Sequence, residues 1–146
     1  MIALDTNVIV RFLVRDDEHQ AQAVFTRFKA AERNKERLFV PLVVVLELIW
    51  VLESAYGMSR TEILESITSL RQMPILQFEA DAVLERLPIS AEQGWLDLDD
   101  LLIALSAEAN GCHTTVTFDR KAARFSLFEL FSDQPWTVHE DPRHYG

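Results

Sequence analysis

The apolar positions of this chain form short unbroken runs, separated by longer stretches in which apolar residues recur every three or four positions. A short apolar run that stops at a charged, Pro or turn-forming residue predicts a buried strand. Strands are therefore expected at residues 1–4, 38–40, 75–78, 114–118 and 135–138.

Apolar residues that recur every three or four positions are typical of helices with one buried face. Helices are expected from Val8 to near Asp16 and at residues 18–35, 43–55, 61–70, 79–87 and 98–110, with short helices at 89–94 and 120–124. The second of these helices is expected to bury Ala23, Phe28 and Ala31.

Local residue types predict where three of these helices begin or end. Ser59 has the chemistry of a helix N-cap and is expected to begin the helix at 61–70. Pro88 lacks a backbone N–H and is expected to end the helix at 79–87. Gly111 tolerates a left-handed conformation and is expected to end the helix at 98–110.

Strands that alternate with helices predict an α/β sandwich, with a mainly parallel central sheet flanked by helices. No internal repeat, low-complexity segment or linker interrupts the 146 residues, so we expect one domain at residues 1–146. In such folds, ligands bind beyond the carboxyl ends of the strands. Candidate functional residues are therefore sought at those ends.

The net charge of −9 argues against binding of nucleic acid through a generally basic surface. It does not exclude a nucleic-acid substrate, because acids gathered around a cation also count toward the net charge. Local basic clusters follow two of the predicted strands, with Arg11 and Arg15 after the first and Arg120, Lys121 and Arg124 after the fourth.

Cellular location can be predicted only in outline. The lone Cys112 excludes an internal disulfide and fits a reducing compartment. No apolar run approaches the ~20 residues that cross a bilayer. The first residues carry no basic segment followed by a long apolar one, so no export signal is expected. These features predict a cytoplasmic protein.

Four carboxylates stand beside or inside apolar stretches. Asp5 and Asp119 directly follow predicted strands, Asp100 opens an apolar helical run, and Glu47 lies in the middle of another. Asp5, Asp100 and Asp119 have an alternative structural explanation, because an acid at a helix N-terminus can cap the helix or complement its dipole. Glu47, in the middle of a helix, has no such explanation. A shared cation is the simplest single explanation for all four, because unpaired buried carboxylates are costly.

Oxygen ligands of this kind suit Mg²⁺ or Mn²⁺. Hydrolysis of a phosphodiester by one or two such ions calls for several converging carboxylates. Histidine ligands are not required, and the four histidines lack the spacing of a zinc site: His19, His113, His139 and His144.

The motifs around these acids resemble those of PIN-domain ribonucleases, particularly the VapC toxins of bacterial toxin–antitoxin pairs. The opening Met-Ile-Ala-Leu-Asp-Thr-Asn is similar to the start of that family, and Leu-Glu-Leu at 46–48 to its second acidic position. Asp-Asp-Leu-Leu-Ile-Ala at 99–104 resembles the third, and Thr-Phe-Asp-Arg-Lys at 117–121 the fourth. The resemblance covers residues 1 to about 125.

This resemblance implies a PIN-like three-layer fold and an Mg²⁺-dependent endoribonuclease, with Mn²⁺ possible as the ion. Asp5, Glu47, Asp100 and Asp119 would be the catalytic metal ligands. Further roles are implied for neighbouring residues: Thr6, Asn7 and Thr117 as donors that orient the acids, and Arg11, Arg120 and Lys121 as contacts for RNA phosphates. The implied partners are an RNA substrate, an antitoxin protein and a second copy of the chain.

One position departs from the usual pattern, because Asp97, Asp99 and Asp100 all precede Leu-Ile-Ala, where a single acid is typical. Alignment on Leu102-Ile103-Ala104 selects Asp100 as the ligand. Asp99 should then point about 100° away around the helix. Asp97 is in a position to cap the helix or assist.

Two alternative functions remain open from the sequence. One is a PIN-domain nuclease that has no antitoxin and acts in RNA processing or on DNA. The other is a non-catalytic interaction module that keeps the fold and its acids.

Overall fold

The computed structural model describes residues 1–133 of the chain. These residues group into two compact units, the first from Met1 to Pro88 and the second beginning at Ile89. Each unit contains its own small parallel sheet.

The first unit is built around a three-stranded parallel sheet in the order β1-β2-β3. Its strands are β1 (Ile2–Ala3), β2 (Leu38–Val40) and β3 (Leu76–Phe78). Its helices are α1 (Thr6–Leu13), α2 (Glu18–Arg33), α3 (Leu42–Ser54), α4 (Arg60–Arg71) and most of α5 (Asp81–Ser90), whose last two residues belong to the second unit. Leu38 pairs with Ile2 on one side and Leu76 on the other.

The core of the first unit explains why these helices form where they do. Each helix contributes large apolar side chains that are almost completely buried, among them Ile9, Leu48, Leu52, Ile63 and Leu84. These side chains lie at helical spacing along their own segments, so burying one face of each helix removes them from water. Because the three strands are parallel, their carboxyl ends lie at one edge of the sheet.

The second unit contains α6 (Leu98–Ala109), β4 (Thr115–Thr117) and β5 (Phe128–Leu130). The two strands are parallel, with Thr117 paired with Leu130. Short 3-10 turns precede α6 at Ala91–Gln93 and follow β4 at Ala122–Arg124. Leu98, Leu101 and Leu105 of α6 are buried, as is Phe128 of β5.

The predicted α/β class with parallel strands is confirmed. The strands expected at 1–4, 38–40, 75–78 and 114–118 are all present; the second has the predicted bounds and the other three are slightly shorter than predicted. The strand expected at 135–138 lies outside the described residues. That the chain forms one domain stays a prediction. Among residues 1–133, no helix has the length and apolar character needed to cross a bilayer.

The predicted helix termini at Ser59 and Gly111 are confirmed. The Ser59 hydroxyl accepts a hydrogen bond from the backbone N–H of Glu62, and the Glu62 carboxylate accepts one from the N–H of Ser59. Gly111 follows Asn110, the C-cap of α6, and adopts a φ of 86°; the N–H of Cys112 then donates to the Ala107 carbonyl at 3.1 Å. This is a C-terminal motif in which glycine avoids the strain of a Cβ atom.

Three details of the prediction are wrong. Pro88 does not end α5 but lies in its last turn, where one missing N–H interrupts little of the helix. Ala23 is exposed, because the buried face of α2 runs through Ala21, about 200° of helical rotation away. The strand Phe128–Leu130 is present although the sequence did not predict one there.

Candidate metal centre

Asp5 lies at the carboxyl end of β1, where the chain turns into α1. Its extended backbone, with φ −82° and ψ 162°, makes it the N-cap of that helix, and its Oδ1 accepts a hydrogen bond from the Thr6 N–H at 2.8 Å. Within the described residues its second carboxylate oxygen accepts no hydrogen bond. The cap therefore fixes the orientation of Asp5 while one oxygen stays available to a ligand.

Thr6 and Asn7 were expected to act as donors that orient Asp5. Thr6 does so through its backbone N–H, and its own side chain is buried, with the residue 2% exposed. Asn7 is exposed, and no hydrogen bond joins it to Asp5. An orienting role for the Asn7 side chain stays a prediction.

Glu47 lies in the middle of α3, and the expectation that its apolar neighbours would keep it out of water is wrong. The residue is exposed, on a stripe that also contains Val43 and Trp50, which are 71% and 63% exposed. Positions 43, 47 and 50 face one side of the helix, while Leu48 and Leu52 face the core. Burial therefore does not require a ligand for Glu47, and its role as one stays a prediction.

Glu79 is a positioning residue that sequence reasoning missed. It follows β3 at the same carboxyl edge as Asp5, and its Oε2 accepts a hydrogen bond from the Leu42 N–H at 2.7 Å. Its own N–H donates to the Val40 carbonyl at 2.9 Å. These two bonds fix the start of α3, the helix that presents Glu47. The available signal was an acid placed directly after a predicted strand.

The clearest acidic cluster of the described residues lies at the start of α6. The carboxylates of Asp97, Asp99 and Asp100 each offer an oxygen within 4.8 Å of the others. Asp99 was expected to point away from Asp100. The two carboxylates nevertheless approach each other, because Asp99 turns back so that its Oδ1 accepts the Asp100 N–H at 2.9 Å. Asp97 occupies the N-cap position without a side-chain capping bond.

Asp100 is the member of this cluster whose pKa is raised. Partial burial is the largest cause that raises its pKa, and the charges of Asp99, Asp97 and Asp119 raise it further. The nearby Lys121 ammonium lowers it. Within the described residues the Asp100 carboxylate accepts no hydrogen bond that would compensate for its desolvation. A hard cation would compensate for both the burial and the repulsion, so these residues fit a site for Mg²⁺ or Mn²⁺.

Asp119 lies just beyond the carboxyl end of β4, held by a small network of backbone bonds. Its Oδ1 accepts hydrogen bonds from the N–H groups of Lys121 at 2.9 Å and Ala122 at 3.3 Å. Its own N–H donates to the Thr117 hydroxyl at 3.0 Å. As with Asp5, this is a capping role that employs one oxygen, and the residue remains exposed.

The three basic residues expected to contact RNA differ in their surroundings. The Arg11 guanidinium donates to Gln20 at 2.6 Å, Tyr56 at 3.3 Å and Asp16 at 3.4 Å, so it already ties α1 to neighbouring segments. Arg120 and Lys121 are exposed, and neither forms an ion pair with another described residue. Both are therefore better placed than Arg11 to meet a phosphate.

A cavity of the first unit lies away from Asp5 and Glu79. It has a volume of about 550 Å³ and is lined by Phe12, Phe25, Phe28, Ile75 and neighbouring side chains. Ile75 and Arg37, which also lines it, directly precede β3 and β2, so the cavity is at the amino ends of these strands. Asp5 and Glu79 lie at the opposite edge. This cavity therefore does not contain the candidate acids.

The predicted acids are divided between the two units. Asp5 and Glu47 belong to the first unit: Asp5 follows β1, and Glu47 lies in the helix that follows the neighbouring strand β2. Asp100 and Asp119 belong to the second unit, where the charge of Asp119 raises the pKa of Asp100. That all four serve one metal centre stays a prediction.

Comparison with known proteins places these residues in a family. The PIN domain model matches residues 2–126. The chain is also similar to a VapC ribonuclease from Aquifex aeolicus (strain VF5), with 27% identity over 122 residues that cover 83% of this chain and 89% of the relative. The match includes the segments that carry Asp5, Glu47, Asp100 and Asp119. The protein belongs to the PIN domain family.

Proposed function

We propose that the protein is a metal-dependent endoribonuclease that uses Mg²⁺, or Mn²⁺ in its place, to hydrolyse phosphodiester bonds of RNA. The observation that carries this proposal is the half-buried Asp100 with its raised pKa, grouped with Asp97 and Asp99 in a PIN-family chain. Support for ribonuclease activity in particular comes from the similar protein named as a VapC ribonuclease.

Asp5, Glu47, Asp100 and Asp119 are proposed as the catalytic acids and metal ligands. Asp5 and Asp119 support this assignment because each is oriented by backbone N–H groups through a single oxygen. Glu47 supports it because an exposed carboxylate on a helix fixed by Glu79 is accessible to a cation. Asp97 and Asp99 add negative charge beside Asp100.

The chemistry follows from these placements. A bound divalent cation would lower the pKa of the attacking water and neutralise charge that develops on the phosphate. The carboxylates would hold and orient the cation, Thr6 and Thr117 would fix the orientation of Asp5 and Asp119, and Asn7 would assist Asp5. Arg120 and Lys121 would bind flanking phosphates. Arg11 would do so only by giving up some of its present contacts.

The partners and location are part of the same proposal. By similarity to the VapC protein, the chain would be the toxin of a toxin–antitoxin pair, inhibited by a cognate antitoxin. We also propose a cytoplasmic homodimer. The homodimer is proposed from the resemblance to VapC toxins.

The activity is tested by incubating the purified protein with individual RNAs of defined sequence in the presence of Mg²⁺, of Mn²⁺ or of a chelator. Cleavage is expected with either ion and not with the chelator. Asp5→Asn and Asp100→Asn should each abolish cleavage, and Glu47→Gln should reduce it strongly. Glu65→Gln is the matched control for Glu47→Gln, because Glu65 is also an exposed glutamate within a helix.

The possible outcomes separate the three functions. Cleavage that survives both aspartate substitutions would reject the proposed site. Absence of cleavage and of Mg²⁺ or Mn²⁺ binding by the unsubstituted protein would favour the non-catalytic module. Cleavage that a small protein encoded next to this one does not inhibit would favour the nuclease of RNA processing.

A further inference from the structure

Two solvent-exposed phenylalanine rings pack against each other at the ends of β4 and β5. Phe118 is 80% exposed and Phe131 is 45% exposed. Their ring centroids are 4.8 Å apart, with the ring planes tilted by 34°. Contiguous exposed apolar surface of this kind is typical of a site that binds a partner or a ligand.

The backbone fixes the position of both rings. Thr117 and Leu130 are paired in the parallel sheet, and Phe118 and Phe131 are the residues that follow them. The Phe131 N–H donates to the Thr117 carbonyl at 2.7 Å, which extends the pairing as far as the second ring. The backbone that carries both rings is therefore held by the pairing of β4 and β5.

The rings stand beside residues of the candidate metal centre. Asp119 is the next residue after Phe118, and its N–H is held by the Thr117 hydroxyl. Arg120 and Lys121 follow, both exposed, and the Lys121 ammonium lies close enough to Asp100 to lower its pKa. One strand end thus brings together an aromatic surface, two cations and acids of the proposed centre.

We propose that the Phe118–Phe131 pair is a stacking surface for an unpaired base of the RNA, next to the phosphate that is cleaved. This proposal rests on the proposed function and adds to it the side chains that hold a base beside the cleaved phosphate. Bases within a duplex are stacked on one another and cannot reach a protein ring, whereas unpaired bases stack on aromatic side chains. Arg120 and Lys121 supply the charge for the adjoining phosphates.

The composition of the surface favours RNA over a protein partner. The core of a protein interface is depleted in charged residues, with polar groups at its rim. Here charged residues follow Phe118 directly, and Ser132 and Asp133 follow Phe131. A nucleotide presents a flat base and a charged phosphate within one unit, which matches the Phe118 ring with the cations Arg120 and Lys121 two and three residues further along the chain.

The test uses short single-stranded RNAs that carry 2-aminopurine, whose fluorescence falls when it stacks on an aromatic ring. Binding is measured in the Asp100→Asn background, so that the RNA stays intact. Phe118→Ala should remove the quenching and weaken binding about tenfold. Phe118→Trp should preserve both, because a larger ring can still stack. Phe25→Ala is the matched aromatic control, since Phe25 lines the cavity at the amino ends of the first unit's strands.

Cleavage provides a second measurement, with the catalytic acids intact. Phe118→Ala should lower kcat/KM about tenfold for single-stranded RNA, mainly through KM. A fully paired duplex of the same sequence should be a poor substrate for the unsubstituted protein. Far-UV circular dichroism of Phe118→Ala and Phe118→Trp checks that both variants are folded.

The outcomes distinguish this inference from the function on which it rests. If the unsubstituted protein cleaves RNA, and Phe118→Ala matches it in fluorescence quenching, RNA binding and cleavage, the stacking surface is rejected while the proposed nuclease activity is retained. If Phe118→Ala changes only self-association or the binding of a partner protein, the rings form a protein interface and the inference is likewise rejected. If the unsubstituted protein neither binds nor cleaves any RNA, the proposed function itself fails.

Discussion

The Thr117 hydroxyl accepts a hydrogen bond from the backbone N–H of Asp119 at 3.0 Å. This bond sets the direction in which the chain leaves β4. Asp119 in turn accepts hydrogen bonds from the N–H groups of Lys121 and Ala122. The side chain of one strand residue thus determines where a proposed catalytic carboxylate lies.

Thr117→Val should therefore reduce activity without removing any acid. We expect a loss of roughly tenfold or more in kcat/KM and a higher Mg²⁺ concentration for half-maximal activity, as is typical when a residue that orients a ligand is lost. Steady-state kinetics across a Mg²⁺ series measures both. Thr117→Ser keeps the hydroxyl and should retain most of the activity; equal losses in the two variants would show that the hydrogen bond is not the cause.

Asp100→Asn should stabilise the metal-free protein while it abolishes activity. Burial and the neighbouring acids raise the pKa of Asp100, so its ionised form is less favourable in the folded protein than in the unfolded chain near neutral pH. The substitution removes that repulsion, and we expect a gain of about 1 kcal/mol or less. Urea denaturation in a chelator measures it.

Adding Mg²⁺ should reverse this order of stability. A cation that binds only the folded state stabilises it in proportion to its occupancy. Mg²⁺ should therefore raise the midpoint of thermal unfolding of the unsubstituted protein and leave that of Asp100→Asn nearly unchanged. An equal rise in both proteins would place the bound ion somewhere else.

The ion pair of Arg71 and Asp81 should contribute a pH-dependent part of the stability. Arg71 Nε and Nη2 donate to the two oxygens of Asp81 at 2.8 and 3.0 Å, and these bonds lower the pKa of Asp81 below its ordinary 3.8. Because the folded-state pKa is the lower one, the contribution is complete above the unfolded pKa and is lost as the pH falls through the folded one.

Asp81→Asn should accordingly cost about 0.5 kcal/mol near neutral pH, a small value because the Asp81 side chain is largely open to solvent. The difference from the unsubstituted protein should shrink as the pH falls below 3.8. Urea denaturation across a pH series measures it, and Arg71→Gln completes a double-mutant cycle. A difference that is constant with pH would contradict the assignment.

Ser59→Ala should destabilise the protein through α4. The substitution removes the hydroxyl that accepts the Glu62 N–H at 3.2 Å and breaks a reciprocal pair of capping bonds. Loss of such a cap costs typically about 1 kcal/mol. Ser69→Ala is the control, since Ser69 is exposed on the same helix away from its N-terminus. Thermal or urea denaturation should show a loss for the first variant and little change for the second.

Much of the fold could be predicted from local pattern, because the forces involved act over a few residues. Unbroken apolar runs located the strands at 38–40 and 75–78, and the cap chemistry of Ser59 and Gly111 located two helix termini. The strand Phe128–Leu130 escaped prediction because the charged Glu129 interrupts its apolar run. Its identity as a strand depends on parallel pairing with Thr115–Thr117, a contact that sequence pattern does not encode.

The candidate site divides in the same way. The sequence by itself determined which acids stand out and that Asp5 and Asp119 follow strands, since residue type and position in the chain are sufficient for both. Only the tertiary structure decided that Glu47 is exposed, that Asp99 turns toward Asp100, and that Glu79 holds the start of α3. These depend on the phase of a helix against its core and on bonds between distant segments, and both are fixed only when the chain is packed.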